Sequence, residues 1–110
     1  MFVQLPKTID TYIKAVNAYN TDTALACFAD NATVLDEGET LIGKKSIREW
    51  IEKTKKKYSP QFNPVSIKEN NDETVMMTEV SGTFDGSPIK LAYHFKIKNN
   101  LIEDLRILLP

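Results

Sequence analysis

Apolar residues fall at helical spacing in the first half of the chain and on alternate positions in the second. Ile9, Tyr12, Ile13, Val16 and Tyr19 recur at i, i+3, i+4, i+7 and i+10, one stripe of an amphipathic helix. Pro6 suits its first turn, where a missing N–H costs little. Asn20-Thr21-Asp22 interrupts the stripe, and Thr21 or Asp22 can cap a short second helix carrying Ala24, Leu25 and Phe28 inward. Asp30-Asn31 ends that helix. Ala32 to Asp36 reads as a strand, Gly38 breaks it, and Thr40-Leu41-Ile42 is a further extended piece. Gly43 opens a third helix with the stripe Ile47, Trp50, Ile51 and Tyr58, and Ser59-Pro60 stops it.

From Val65 onward the period is two. Strands are predicted over Val65–Glu69, Glu73–Phe84, Pro88–Lys98 and Leu101–Leu109. They are joined by the Asn70-Asn71-Asp72 turn and by hairpins at Asp85-Gly86 and Asn99-Asn100. In the third of these strands Ile89, Leu91, Tyr93, Phe95 and Ile97 share one side. Lys90, Ala92, His94, Lys96 and Lys98 share the other, so this strand is buried on one face. The last strand carries apolar residues on both sides, with Ile102 and Leu108 opposite Leu101, Leu105, Ile107 and Leu109. Burial on both sides predicts a homodimer through the sheet; singly exposed Leu or Ile on a monomer is the alternative.

Helices first and a meander after them predict an α+β fold rather than alternating α/β. The expected architecture is about three N-terminal helices on a curved antiparallel sheet, formed by a four-stranded C-terminal meander plus a short earlier strand. The 110 residues suit one domain, 1–110, with a core that needs no staple. Hydrophobic residues at 42% and charged residues at 26% exclude global disorder.

A net charge of −1 argues against nucleic acid as a partner. The run Lys53, Lys55, Lys56 and Lys57 reads better as cations at a helix C-terminus than as a phosphate contact. One Cys and one His cannot make the usual metal clusters, and Cys27 has no partner for an internal disulfide. No metal and no cofactor are therefore expected. The start, Met1 to Pro6, does not read as a secretory signal, and no apolar run approaches the ~18 residues of a membrane span. The expected compartment is the cytoplasm.

The order of parts then becomes recognisable. Helix, short helix, Phe28-Ala29-Asp30-Asn31-Ala32-Thr33-Val34-Leu35-Asp36, then Ile42-Gly43-Lys44 opening a third helix, then a meander, resembles the nuclear transport factor 2-like superfamily. Within it the chain looks closest to the SnoaL-like and ketosteroid-isomerase-like branch. The resemblance implies a cone, with a bent sheet wrapping the helices around a pocket for a small apolar molecule. It also implies frequent dimers. It does not imply one activity, because the superfamily hosts isomerases, cyclases, dehydratases and binding modules.

Asp36 stands where the branch's isomerases carry a proton-shuttling base. Alternation sets it on the side of Ala32 and Val34, where desolvation would raise its pKa toward neutrality. The alternative is a solvated strand-end Asp bonding the Glu37-Gly38 turn. Tyr12, before Ile13, matches the phenol that bonds a developing oxyanion in these isomerases; it can equally be a packing tyrosine. Their second donor, a protonated Asp, has no counterpart between Ile89 and Lys98, and Tyr93 is the replacement phenol on the apolar face. Phe28, Trp50, Tyr93 and Phe95 are expected inward, as core and as ligand wall. His94 is expected away from the hollow. Asp104 weakly echoes a cyclase acid but is better read as an ion-pair partner of Arg106, and Cys27 as a buried structural thiol.

Overall fold

A computed structural model describes residues 4–110; Met1–Val3, where the segment read as carrying no secretory signal begins, lie outside the described residues. The chain runs α1 (Lys7–Asn17), α2 (Thr21–Ala26), β1 (Phe28–Asp36), β2 (Glu39–Ile42), α3 (Gly43–Tyr58), β3 (Gln61–Glu69), β4 (Thr74–Ser81), β5 (Ile89–Lys98) and β6 (Leu101–Leu108). Three helices pack on a six-stranded sheet of order β2-β1-β6-β5-β4-β3, the α+β architecture expected. The sheet is mixed at one place: β1 and β6 pair in parallel, while the other four pairings are antiparallel. Nothing in strand periodicity signals this pairing, because it joins segments about seventy residues apart.

Helix α1 forms as its stripe predicts, with Ile9, Tyr12 and Ile13 buried. Pro6 sits one step earlier than expected, at the N-cap. The stripe ends before Tyr19, which takes a left-handed φ of 58° beyond the helix while the N–H of Asn20 bonds the carbonyl of Ala15. The cap of α2 is Asn20, whose side chain accepts from the N–H of Thr23, rather than Thr21 or Asp22. Phe28 is not helical. It opens β1, opposite Ile102, and Cys27 separates it from α2.

β1 and β2 form a tight hairpin in which Asp36 faces Glu39. Glu37 and Gly38 supply two successive positive φ values, 52° and 75°, the primed turn that suits twisted strands. Asn99 and Asn100 do the same between β5 and β6, as expected. Two other predicted boundaries differ. β3 starts at Gln61 rather than Val65, because Pro64 is tolerated on an edge strand beside a register shift. β4 stops at Ser81 rather than continuing to Phe84. There the chain leaves the sheet and the Thr83 N–H bonds the Tyr58 carbonyl at 2.8 Å, so the connection to β5 is longer than a two-residue hairpin. A Cβ on Gly82 would lie 2.4 Å from that carbonyl, so only glycine fits.

The apolar residues on both sides of β6 have an explanation within one chain. Ile97 faces Ile102 but Lys96 faces Asp104, so Glu103 is an extra residue and the strand changes phase there. Ile102, Leu105 and Ile107 are consequently all buried on the helix side. Register shifts in β1 and β3 bend the sheet further. The core between sheet and helices includes Ile9, Phe28, Ile47, Met76, Phe95 and Leu105, all fully buried. Each such side chain contributes roughly 1.5–3 kcal/mol relative to exposure. No helix of the described residues is long and apolar enough to cross a membrane.

Candidate active site

The core does not fill the space under the sheet. A cavity of about 530 Å³ remains between α1, α3 and the helix-facing side of the sheet. Four elements deliver its chemistry. Tyr12 comes from α1, Asp36 from the end of β1, Trp50 from α3 and Tyr93 from β5. Exposure grades them by depth: Tyr12 is 2% and Tyr93 4% exposed, whereas Asp36 and Trp50 are half-buried nearer the opening. Exposed Ile89, Leu108 and Leu109 form an apolar rim.

Asp36 points into the cavity for the reason alternation gave. Val34, its neighbour on the same face, is fully buried, and Leu35 and Thr33 lie on the other side. Its carboxylate accepts from Trp50 Nε1–H at 2.9 Å. Burial pushes the carboxyl pKa up, the indole hydrogen bond and the Glu37 N–H pull it down, and the nearby charges of Glu37 and Glu39 push it up; the net direction is upward. Among the described residues no lysine or arginine forms an ion pair with it; Lys55, which also lines the cavity, pairs with Glu52.

Tyr12 and Tyr93 are both buried and both hard to ionise. Desolvation raises the pKa of each, and the charge of Asp36 raises both further. Tyr93 also feels Tyr12. Two neutral phenols and one carboxylate thus share one field. No hydrogen bond to a protein group holds either phenol among the described residues, so both hydroxyls remain free to donate into the cavity.

Phe28 and Phe95 stand one layer back. Both are fully buried, and each meets the Tyr12 ring edge-on, with centroids 5.4 and 6.2 Å away. They buttress Tyr12 and do not line the cavity. Val16, Phe62, Leu91 and Ile107 do line it and were not singled out from sequence. Phe62 packs edge-on against Tyr93 at 6.2 Å, but the Pro-flanked start of β3 hid it. The Trp50–Asp36 bond also escaped sequence reading. The available signal was that a buried indole N–H seeks an acceptor.

His94 lies on the outer sheet face, as expected, 3.3 Å from Glu73. Asp104 is on that face too. It accepts from Thr33 and pairs with Arg106 at 3.7 Å, so it is far from the cavity chemistry. Cys27 is buried, and its thiol donates to the Thr23 carbonyl. Lys55 holds Glu52, Thr21 and the Tyr19 carbonyl at the cavity's edge. The described residues contain no cluster of three or more metal-ligating side chains.

With this geometry in hand, comparison with known proteins is informative. The profile of the SnoaL-like domain matches residues 9–105. A candidate polyketide cyclase from Sinorhizobium meliloti is 35% identical, with a TM-score of 0.91 and 94% of each chain covered. A protein of ketosteroid isomerase-like fold from Catenulispora acidiphila, solved with trimethylamine, is 17% identical, with a TM-score of 0.84 over 94% of this chain and 85% of that one. A Mycobacterium tuberculosis protein in complex with estradiol-17β-hemisuccinate is 15% identical, with a TM-score of 0.77 over 91% and 88%. The last two share the fold alone. No curated protein sequence matches the chain.

Proposed function

The chain belongs to the SnoaL-like domain family, and from that premise we propose that it binds a small apolar carbonyl compound and moves a proton on it. Asp36 is the base and Tyr12 and Tyr93 are the oxygen-binding donors. One observation carries the reading: a carboxylate without a cationic partner and two unpartnered phenols face the same cavity. The Sinorhizobium relative, a candidate polyketide cyclase, and the estradiol hemisuccinate bound by the fold neighbour support an apolar organic ligand. So does size. The 530 Å³ cavity is roughly three and a half times the ~150 Å³ hollow that accepts one benzene, so a ligand of about three rings fits.

In this mechanism the ligand's carbonyl oxygen accepts from the two phenols. Asp36 takes a proton from the adjacent carbon, the electron pair moves toward oxygen, and the phenols stabilise the resulting enolate. Asp36 then returns the proton to another position. Burial keeps both phenols protonated, so they stay donors at every physiological pH. This is acid–base chemistry of the isomerase, cyclase or dehydratase kind.

Exchange of α-protons for deuterium on a panel of hydrophobic ketones tests it. Wild type is expected to exceed buffer. Asp36→Asn is expected to lose roughly 10²–10⁴-fold, and Tyr12→Phe or Tyr93→Phe roughly 10²–10³-fold. Exchange in Asp36→Asn equal to wild type sinks the base. Binding without exchange on any ketone leaves a ligand-binding module instead. The proposal includes a homodimer through the sheet. Sedimentation at twice the monomer mass is expected, and a monomer at high concentration removes the dimer.

A further inference from the structure

Asp36 ends a strand at a tight turn, a place where a carboxylate usually swings into solvent and bonds the turn's own N–H groups. Here it keeps the Glu37 N–H but is also turned toward the cavity. The partner that turns it is fourteen positions later in sequence, beyond the β1–β2 hairpin and two turns into α3. Trp50 Nε1–H can only donate, and it spends that bond on Asp36 Oδ2 at 2.9 Å. The bond joins the strand end to the helix that roofs the cavity.

We infer that Trp50 is the positioning residue of Asp36: its indole N–H holds the carboxylate on the cavity side and stabilises its ionised form. The inference rests on the reading of Asp36 as the base. It adds a device that the two phenols do not supply. The indole ties down Oδ2, beside the Glu37 N–H that the turn supplies. Glu37 and Glu39 press on it from the hairpin, Tyr12 and Tyr93 face it from α1 and β5, and α3 offers Trp50; Lys55 and Tyr58 of α3 and Asp85 of the β4–β5 connection line the same cavity. Both acidic neighbours favour the protonated form, so the indole opposes them and burial together. The lining that Trp50 gives the cavity is a separate contribution, one a phenylalanine retains.

A practical consequence follows from composition. Trp50 is the only tryptophan in the chain. Its emission is therefore the chain's one indole signal, and ionisation of Asp36 beside it is expected to change that signal without labelling.

The test has two arms. In the first, wild-type and Asp36→Asn emission are followed against pH, alongside carboxyl NMR of Asp36. Wild-type emission is expected to titrate with the Asp36 carboxyl, and Asp36→Asn to be flat across that window. Emission indifferent to a titrating Asp36 overturns the inference, and this arm needs no variant of Trp50. In the second, Trp50→Phe keeps the aromatic wall and removes the donor. The Asp36 pKa is expected to rise by roughly one unit, moving the acid limb of any exchange profile upward by the same amount. An unchanged pKa in folded Trp50→Phe overturns it as well. A pKa that moves in Trp50→Phe while no ketone exchanges upholds the clasp and sinks the base, so the two readings fail separately.

Discussion

Two half-buried carboxylates sit on opposite faces of the same sheet, and their surroundings push them in opposite directions. Asp36, on the helix side, is raised by burial, and its partner is a neutral indole. Glu73, on the outer side, is lowered, first by its hydrogen bond to His94 and further by Arg106 at 3.1 Å. Glu73 has its needs met by the chain: two basic side chains occupy its two oxygens. Asp36 does not. On the proposed reading, that carboxylate, without a cation beside the cavity, takes its remaining partner from the ligand.

Substitution exposes the difference most sharply in activity. Losing Asp36 is expected to abolish exchange, whereas losing Glu73 should leave it intact, because neither Glu73 nor its partners His94 and Arg106 line the cavity. Phe28 extends the contrast to the layer behind the wall. Phe28→Ala is expected to lose about 3–5 kcal/mol of stability, read by chemical denaturation, since the ring is fully buried against Tyr12. If the folded fraction of Phe28→Ala exchanges as poorly as Asp36→Asn, the layer behind the wall is itself part of the site.

The stability of Asp36→Asn should move the other way. A carboxyl raised above its unfolded value favours the fold below the unfolded pKa, and that contribution is lost as pH rises through the folded value. At neutral pH the ionised, desolvated Asp36 therefore weakens the fold, and Asn is expected to raise the Tm. At pH 3 the gain should vanish. A Tm gain that persists at pH 3 would show that charge is not its source.

The helical stripes and the meander were legible because burial on one face imposes a period of 3.6 or 2. Asp36's direction was legible for the same reason, since Ala32, Val34 and Asp36 alternate. What alternation cannot carry is anything that changes phase or spans the sheet. Glu103 resets the parity of β6, and an apparent two-sided strand becomes one-sided. The parallel β1–β6 pairing and the meeting of Tyr12 with Tyr93 depend on long-range contacts that no local pattern encodes. Phe28 and Phe95 were correctly inward but lie a layer deeper than the cavity. Separating wall from buttress requires the curvature of the sheet, which three register shifts determine.

Glu73→Gln is the smallest of these effects, and its sign decides whether the contrast between the two carboxylates is real. A carboxyl lowered below its unfolded value stabilises the fold above the unfolded pKa and loses that contribution as pH falls through the folded one. Glu73→Gln should therefore lower the Tm slightly near pH 7, and the gap should close below pH ~4. The drop is small because the pairs are partly open to water, with 24% of the Glu73 side chain and 41% of the Arg106 side chain accessible. Salt should shrink it further, since partly exposed pairs are screened. Asp36→Asn responds to salt much less, because its cost is desolvation rather than an ion pair. Opposite signs at neutral pH, with salt acting on Glu73 alone, would place one carboxylate in the service of the fold and the other in the service of a ligand. Equal signs would mean that Asp36 is another structural acid, held by Trp50 for the sake of the β1–α3 contact.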